Sequence, residues 1–422
     1  MSGSGAPRPS LWRHRNFLKL WSAQTITQFG DEITQLALPL VAIITLQATP
    51  FQIGLLGTFQ FLPFILLTIP AGVWVDRMPR RPILIAADVG RAVLLTSIPL
   101  AFVGGWLSIP QLYAVAFAVG CLEVFFDVAY QSYLPAVVER DQLVEGNAKL
   151  ELSNSASTVI GPGVAGFLVE LFRAPFAILF DALSYLGSAA MLMFIRSPEP
   201  SPVPHDPATG PRPSMRQEAT EGMRYVLRHR HLRYIAACTG TLNLFGNIGG
   251  VIMVLYIVRE LGINPGTLGL IFALANLGVL VGALSADRLA RRFGLGPVIV
   301  VSAALSPFML VLVALAPRDA PIPFLVAGGV IGAATSVIYN VNQVSFRQAI
   351  TPERMLGRMN ATMRFMVWGT IPIGSIAGGI LGGLIGLQAT IWLGAIGSFI
   401  GFLPVLLSPV RTLESIPDPE SP

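Results

Sequence analysis

Charged residues are scarce in this 422-residue sequence: they make up 12% of it, whereas an average soluble domain is about a quarter charged. Hydrophobic residues make up 53%, and the 42 glycines and 33 prolines lie largely within apolar runs. Membrane helices tolerate Gly and Pro because neighbouring helices satisfy the backbone groups that these residues free. The scarcity of charge excludes an ordinary soluble protein and indicates a polytopic membrane protein.

Cysteine is also scarce, and the common catalytic motifs are missing. The two cysteines, Cys121 and Cys238, lie far apart in apolar stretches, which excludes a disulfide framework and a cysteine metal site. The sequence contains no Walker A, G-x-S-x-G or H-E-x-x-H motif, so it supports neither ATP-driven transport nor a hydrolase. We therefore expect no enzyme activity, no cofactor and no bound metal.

Twelve runs are apolar and long enough to cross a bilayer, whose core is spanned by about 20 helical residues. The fifth, tenth and eleventh runs carry polar positions, which leaves a count one higher or lower open. The predicted spans are 18–44, 51–75, 83–104, 109–133, 149–170, 175–195, 233–258, 266–286, 297–316, 322–346, 359–384 and 388–408. The sequence thus predicts an all-α membrane protein with 12 transmembrane helices in two six-helix bundles.

Residues 197–231 form the one long hydrophilic connection. Its first half is Pro-rich, which predicts a semi-extended linker, and its second half has the helix formers and Arg of a short amphipathic surface helix. The predicted organisation is an N-terminal bundle over 1–196, this cytoplasmic linker, and a C-terminal bundle with a cytoplasmic tail over 232–422.

Lysine and arginine set the predicted orientation. With a cytoplasmic N-terminus, most of the 28 basic residues fall in cytoplasmic tails and loops, and the external loops hold Arg173, Arg259 and Arg318. We predict a multi-pass protein of the cytoplasmic cell membrane with both termini in the cytoplasm. The net charge of +5 reflects this bias toward the inner leaflet and does not indicate nucleic-acid binding.

Two stretches repeat half a chain apart. VDRMPRRP at 75–82 returns as ADRLARRF at 286–293, and the block at 130–148 aligns without gaps with the block at 343–361. Such a repeat indicates two similar bundles related by an axis along the membrane normal. This is the plan of a transporter that rocks one half against the other.

Polar residues inside the spans recur at helical spacing on the first and fourth helix of each half. An ionisable group at the bilayer centre costs about 2.5–3.5 kcal/mol or more, so such groups are candidates for function. The polar residues on these four helices are Gln28, Asp31, Gln35, Glu123, Asp127, Asn243, Asn247, Asn340 and Gln343.

These motifs resemble those of the major facilitator superfamily. Gly72-x-x-x-Asp76-Arg77-x-x-Arg80-Arg81 is similar to its signature between the second and third helices. The echo at 283–292, with Asp287, Arg288, Arg291 and Arg292, has Ala in place of the Gly. GPGVAG (Gly161, Pro162, Gly163 and Gly166) resembles the helix-5 motif of drug:proton antiporters. Its glycines also match a dinucleotide fingerprint, but no strand precedes them, so we interpret them as close-packing positions against the other half.

The opening stretch at 11–40, together with RQAITPERMLGRMNATMRF, resembles the branch that holds macrolide efflux proteins and the enterobactin exporter. The resemblance spans all twelve helices and implies the major facilitator fold, with the first and fourth helices of each half around a substrate cavity. It thereby implies that the polar residues above line this cavity, and Phe29, Phe126 and Tyr339 are candidates for its wall. Many drug antiporters carry an Arg in helix 4, whereas this sequence has Glu123.

The repeated charged stretch is interpreted as a cytoplasmic gate. Asp76 can accept from a helix N-terminus of the opposite half, and Arg80 and Arg81 can bridge to Asp127 low on the fourth helix. The gate comprises Gly72, Asp76, Arg77, Arg80, Arg81, Asp127 and the four charged residues of the echo. The alternative is a plain topology signal of the positive-inside kind.

Asp31 and Glu123 are the predicted proton-coupling residues. All four histidines lie in tails or the central loop, whereas a carboxylate in an apolar cavity can exchange a proton near neutral pH. Two alternatives stay open: a hydrogen bond from Asp31 to a neighbouring helix, and an ion pair between Glu123 and Arg91. Asp88 and Arg91 are expected to form an internal pair.

The predicted function is export of amphipathic small molecules such as drugs by proton antiport. A dedicated siderophore or lipid exporter of the same fold is the alternative, followed by a membrane sensor that transports nothing. The expected partners are a small-molecule substrate, protons and membrane lipid, without nucleic acid, and we expect a monomer.

Overall fold

The structure is a computed structural model that describes residues 10–75, 77–139, 142–196 and 215–414, and its regular structure in these ranges is helical, without strands. The helices of the first half are α1 (Arg15–Leu40), α2 (Pro50–Val75), α3 (Arg80–Val103), α4 (Ile109–Val137), α5 (Leu143–Phe172) and α6 (Ala174–Met193). Those of the second half are α7 (Met215–Arg228), α8 (Leu232–Arg259), α9 (Pro265–Phe293), α10 (Leu295–Leu305), α11 (Phe308–Leu315), α12 (Ile322–Ala349), α13 (Glu353–Trp368), α14 (Thr370–Leu384), α15 (Leu387–Gly401) and α16 (Leu403–Leu406).

Eleven stretches of the described chain are helical, long and apolar enough to cross a membrane. The pairs α10–α11, α13–α14 and α15–α16 each count as one stretch. The sequence predicts twelve spans, and the difference is α1, which has 26 residues and is long enough. The mean hydropathy of α1 is too low for it to count among the eleven apolar stretches, because it carries the polar residues Gln24, Gln28, Asp31, Glu32 and Gln35.

Two of the long spans break where proline or glycine interrupts them. Pro307 separates α10 from α11, since it has no backbone N–H to continue the ladder. Gly369 separates α13 from α14. Near the second break, Asn243 Nδ2 on α8 donates to the Val367 carbonyl at 3.3 Å, and Thr370 Oγ1 donates to the same oxygen at 2.7 Å. Side chains thus satisfy a backbone group at the break, as membrane helices require.

The chain divides into two compact units, Met1–Leu46 with Leu62–His205 and Gln47–Phe61 with Asp206–Pro422. In the first unit α1 packs against α5 and α6, and α3 packs against α4 and α6. In the second unit α8 packs against α14 and α15, and α12 packs against α9, α10 and α11. The first predicted bundle includes Gln47–Phe61, which the structure assigns to the second unit.

Glycine explains how the start of α2 joins the second unit. A Cβ atom on Gly379 of α14 would lie 2.9 Å from the Pro50 carbonyl oxygen and 3.0 Å from the Gly54 Cα atom. Glycine has no side chain, so it allows two helix backbones to approach each other this closely. The GGILGG stretch at 378–383 is therefore a packing surface for α2.

Helix α7 occupies the second half of the hydrophilic connection and packs against α13. Arg358 Nη1 on α13 donates to Glu221 Oε2 at 2.7 Å. His229, between α7 and α8, accepts from the backbone N–H of His231 and Leu232 through Nδ1, at 3.2 and 3.4 Å. Burial, with a contribution from Arg230, lowers the pKa of His229 and favours this accepting, neutral form. The Pro-rich part, 197–214, lies outside the described residues.

Candidate functional site

The second unit contains an open cavity of about 850 Å³, lined by α8, the α10–α11 break, α12 and α13. This volume is within the usual range for a drug-sized ligand. Both helix breaks border the cavity, through Ser306 and Pro307 at one and Val367 and Trp368 at the other. Five predicted cavity residues line it: Asn243, Asn247, Tyr339, Asn340 and Gln343.

Hydrogen bonds orient several of these polar side chains. The hydroxyls of Tyr339 and Thr239 lie 2.7 Å apart, which links α12 to α8. Gln343 Nε2 donates to Asn340 Oδ1 at 2.9 Å. Gln343 is 3% exposed, and its Oε1 atom has no hydrogen-bond partner among the described residues. This arrangement leaves a buried acceptor at the cavity.

Two arginines also line the cavity, and the sequence analysis did not predict either of them there. Arg347 falls in a predicted loop, because the tenth span was predicted to end at 346, but α12 continues to Ala349. Arg364 lies within the predicted span 359–384 and has no predicted role. Its guanidinium lies 5.2 Å from the Trp368 ring centre, which gives it a cation–π contact. None of the described lining residues is acidic.

The first unit contains a buried cluster of charges around Arg91. Arg91 Nη2 forms an ion pair with Asp88 Oδ1 at 2.6 Å, and the two side chains are 2% and 0% exposed. The guanidinium lies between two rings, 4.5 Å from the centre of Phe126 and 4.1 Å from that of Tyr185. The predicted internal pair of Asp88 and Arg91 is confirmed. The predicted wall residue Phe126 contacts this cation.

Helix α6 contributes a polar face that the sequence analysis missed. Tyr185 donates to Asp31 on α1, and Asp181 accepts from Thr34 on α1 and from Ser184, the latter at 3.0 Å. Asp181 is fully buried. The spacing of Asp181, Ser184, Tyr185 and Ser188 is i, i+3, i+4, i+7, which is the signal that identifies one helix face.

The two predicted proton-coupling residues both lie near this cluster. Asp31 makes the hydrogen bond to a neighbouring helix that was one of the alternatives, through Tyr185. Glu123 is half-buried on α4 and lies, with Asp31 and Asp88, within electrostatic range of Arg91. Among the described residues, the ion pair of Arg91 is with Asp88. Proton coupling by Asp31 and Glu123 stays a prediction.

The remaining predicted cavity residues of the first unit are Gln28, Phe29, Gln35 and Asp127. Gln28 borders a groove of about 470 Å³ with Tyr130, Glu151 and Asn154. Phe29 is half-buried on α1. Gln35 and Asp127 are exposed on α1 and α4.

Part of the predicted gate serves as a helix cap. Arg81 Nε donates to the Leu192 carbonyl at 2.9 Å and its Nη2 donates to the Met193 carbonyl, so this cation lies at the C-terminal end of α6. The backbone N–H of Arg77 donates to Trp74 in the turn after α2, and a Cβ on Gly72 would meet open space. Asp76 lies outside the described residues. Pairing of Arg80 or Arg81 with Asp127 stays a prediction.

The echo of the gate is helical, unlike the first copy. Helix α9 continues to Phe293 and includes all four charged residues, whereas α2 ends at Val75 and α3 begins at Arg80. Asp287 Oδ2 pairs with Arg291 Nη2 at 2.6 Å on an exposed surface. Arg288 Nη1 donates to the Leu284 carbonyl at 3.0 Å, and Arg292 lies over Phe293.

The helix-5 motif allows the side chain of Glu32 on α1 to pack closely against α5. Gly161 is buried, and a Cβ there would lie 2.6 Å from the Cβ of Glu32 on α1, in the same half. Pro162 and Gly166 are buried and Gly163 is half-buried within α5. Packing of the motif against the other half stays a prediction. Within the described ranges, no group of three His, Cys, Asp or Glu side chains is placed to hold a metal ion.

Comparison with known families gives one match that covers nearly the whole chain. The family model described as "Transmembrane secretion effector", of the major facilitator type, matches residues 7–421.

Curated relatives are about a fifth to a quarter identical in sequence to this chain over the regions that match. The matches to the MFS-type transporters YfiS and YkuC of Bacillus subtilis cover 44% and 66% of their lengths, at 26% and 22% identity. Macrolide efflux protein A of Streptococcus pyogenes is 23% identical over 88% of this chain and 90% of its own. The enterobactin exporter EntS of Salmonella paratyphi A is 25% identical over 94% of this chain and 93% of its own.

Solved structures share the fold. A bacterial homologue of the iron transporter ferroportin, in an inward-facing state, has a TM-score of 0.75 at 16% identity, covering 94% of this chain and 99% of the homologue. Identity this low carries the fold and not the substrate.

Proposed function

The chain belongs to the transmembrane secretion effector family of the major facilitator superfamily, and from this premise we propose that it exports amphipathic small molecules across the cytoplasmic membrane by proton antiport. It works by alternating access, as a monomer with both termini in the cytoplasm. The sequence repeat supports this mechanism, since repeated bundles give a transporter two similar halves that can rock about a central site.

The observation that carries the proposal is the buried carboxylate cluster of the first unit. Asp31 accepts from Tyr185, and Asp181 accepts from two hydroxyls and is fully buried. Ionisable groups at membrane depth are expensive, and in transporters they form proton relays. Asp31 and Glu123 carry the protons in this proposal, and Arg91 lies close enough to respond to both charges.

A dedicated siderophore exporter is the second candidate. It is favoured by the similarity to an enterobactin exporter over 94% of this chain. Its substrate range separates it from a drug exporter, because a dedicated exporter would transport one compound of a broad panel.

The test uses Asp31→Asn in a host that lacks its own efflux pumps. The amide keeps the shape of the side chain but cannot release a proton, so efflux that is sensitive to a protonophore should fall to the level of empty vector. Membrane insertion, measured by the amount of protein in the membrane, should be unchanged. Asp319→Asn, on an exposed loop, is the matched control and should export normally. Normal export by Asp31→Asn across a proton gradient removes Asp31 from the mechanism.

A further inference from the structure

We propose that the cavity of the second unit binds the anionic group of the transported molecule through Arg347 and Arg364. This inference rests on the proposed export function and adds a substrate class, an apolar body that carries a carboxylate or a similar anion. The acidic residues of the first unit alone favour cationic cargo, so the inference changes the expected specificity.

The charged residues that line the cavity are cations. Arg347 and Arg364 both line it and lie within electrostatic range of each other, whereas no described lining residue is acidic. Arg364 lies within the span Glu353–Leu384, where a cation is costly unless something compensates its charge, and Arg347 lies in the last turn of α12. Neither arginine has an ion-pair partner among the described residues, so an anion in the cavity supplies the missing charge.

Two buried polar atoms at the same place lack hydrogen-bond partners among the described residues. The Nε atom of Arg347 is buried and donates to no acceptor among the described residues. Gln343 is 3% exposed, and its Oε1 atom accepts no hydrogen bond from the described residues. Buried polar atoms without partners in a cavity are typical of a ligand site. An anionic oxygen satisfies the donor, and an O–H or N–H of the same ligand satisfies the acceptor.

The cavity also has apolar walls. The Arg364 guanidinium makes a cation–π contact with the Trp368 ring, and Trp368 lines the cavity beside it. The other apolar lining residues include Leu242, Met309, Leu310, Val337, Val344 and Met363. Guanidinium groups beside apolar walls match an amphipathic anion, since the planar fork of Arg binds a carboxylate through two hydrogen bonds.

The test measures binding of three dyes that share a dansyl body to the full-length protein in phosphatidylcholine nanodiscs. Dansylglycine carries a carboxylate, dansylglycine amide is neutral and dansylcadaverine carries an amine. Dansylglycine should bind at least about tenfold more tightly than its amide, and dansylcadaverine should bind most weakly. Equal binding of the three dyes overturns the proposal.

The arginine variants locate the site. Arg364→Gln should abolish the preference for dansylglycine, whereas Arg364→Lys should keep part of it because the charge remains. Arg318→Gln, on an exposed loop, is the matched control and should bind like the wild type. A full preference that persists in both Arg364→Gln and Arg347→Gln, each monodisperse by size-exclusion chromatography, overturns the proposal.

A measurement in two lipid compositions distinguishes a transported anion from a lipid headgroup as the ligand of the cavity. Nanodiscs that contain phosphatidylglycerol should bind dansylglycine as tightly as those of phosphatidylcholine alone. A tenfold weakening would assign the cavity to a lipid headgroup and overturn the proposal. Binding is measured without a proton gradient, so a failure of proton coupling leaves this result unaffected.

Discussion

Arg91 is the residue on which the first unit's charge cluster depends. Its guanidinium is paired with Asp88 and lies between the rings of Phe126 and Tyr185. Tyr185 in turn donates to Asp31. One side chain therefore links α3 to α4, α6 and α1, and a change at Arg91 or its partner reaches the predicted proton-coupling residue.

Asp88→Asn should destabilise the protein strongly. Removing one member of a buried ion pair costs about 3–5 kcal/mol, and without the Asp88 carboxylate Arg91 loses its ion-pair partner among the described residues. Asp287→Asn is the matched control, since Asp287 and Arg291 also lie 2.6 Å apart within one helix but are 69% and 71% exposed. Exposed pairs contribute about 0–1 kcal/mol. The stability of each variant is measured as its thermal unfolding temperature in detergent. Equal decreases in this temperature for Asp88→Asn and Asp287→Asn would contradict the stronger contribution of the buried pair.

Residue-level prediction from the sequence is easiest where a polar side chain interrupts an apolar helix. The polar positions of α8 and α12 stand out for this reason, and five of the predicted residues meet in the cavity. Arg347 could not be found this way because helix ends are poorly marked in a sequence, and three residues of extra helix moved it from a loop into the cavity. Tyr185 was missed because a tyrosine in an apolar span resembles an ordinary core residue.

At the scale of helices, glycine and proline decide which surfaces meet. Gly379 brings α14 against the backbone of α2, and Pro307 and Gly369 break helices beside the cavity. Irregular backbone at membrane depth is tolerated where it lines a cavity. The breaks and the cavity are therefore connected features of the second unit.

Gly379→Val should weaken the contact between α2 and α14. Its added side chain would collide with the backbone of Pro50, Phe51 and Gly54, which cannot move aside as a flexible side chain can. Overpacking of this kind costs about 1–3 kcal/mol. Gly383→Val is the matched control, because a Cβ at Gly383 meets nothing within 4 Å. Thermal unfolding in detergent measures the difference, and equal stability of the two variants would argue against the close contact.

The helices themselves were predictable because a membrane span needs a long apolar run. The broken spans were harder, since Pro162 leaves α5 continuous while Pro307 ends α10. The two charged stretches also differ: in the first half α2 ends at Val75 and α3 begins at Arg80, whereas in the second half α9 continues to Phe293. The local sequence accounts for this difference, because Pro79 precedes α3 in the first copy and interrupts a helix, whereas Ala290 stands at the matching position within α9.

For the whole molecule, the sequence repeat predicted two halves, and the structure has two compact units. The assignment of Gln47–Phe61 to the second unit was not predictable from the repeat. It depends on a close approach between glycines that lie more than 300 positions apart, and such packing leaves no local pattern in α2.

The proton stoichiometry belongs to the whole molecule, because it sets the energy that one transport cycle gains. Each net charge that moves inward gains about 2.3 kcal/mol per 100 mV of membrane potential. At about 60 mV this is about 1.4 kcal/mol, which is a tenfold change in the concentration ratio that the transporter can maintain. If Asp31 and Glu123 each carry one proton, wild-type protein moves one more charge per cycle than Glu123→Gln does. This difference is independent of the charge of the cargo.

Glu123→Gln should therefore lower the steady-state cargo ratio about tenfold for each 60 mV of potential, relative to the wild type. The measurement uses proteoliposomes whose potential is clamped with valinomycin and potassium, at equal pH on both sides, with one cargo taken from the efflux panel. Asp319→Asn serves again as the control and should match the wild type at every potential. If Glu123→Gln transports with unchanged voltage dependence, Glu123 carries no proton and acts instead through its charge on Arg91, whose ion pair with Asp88 it would then tune.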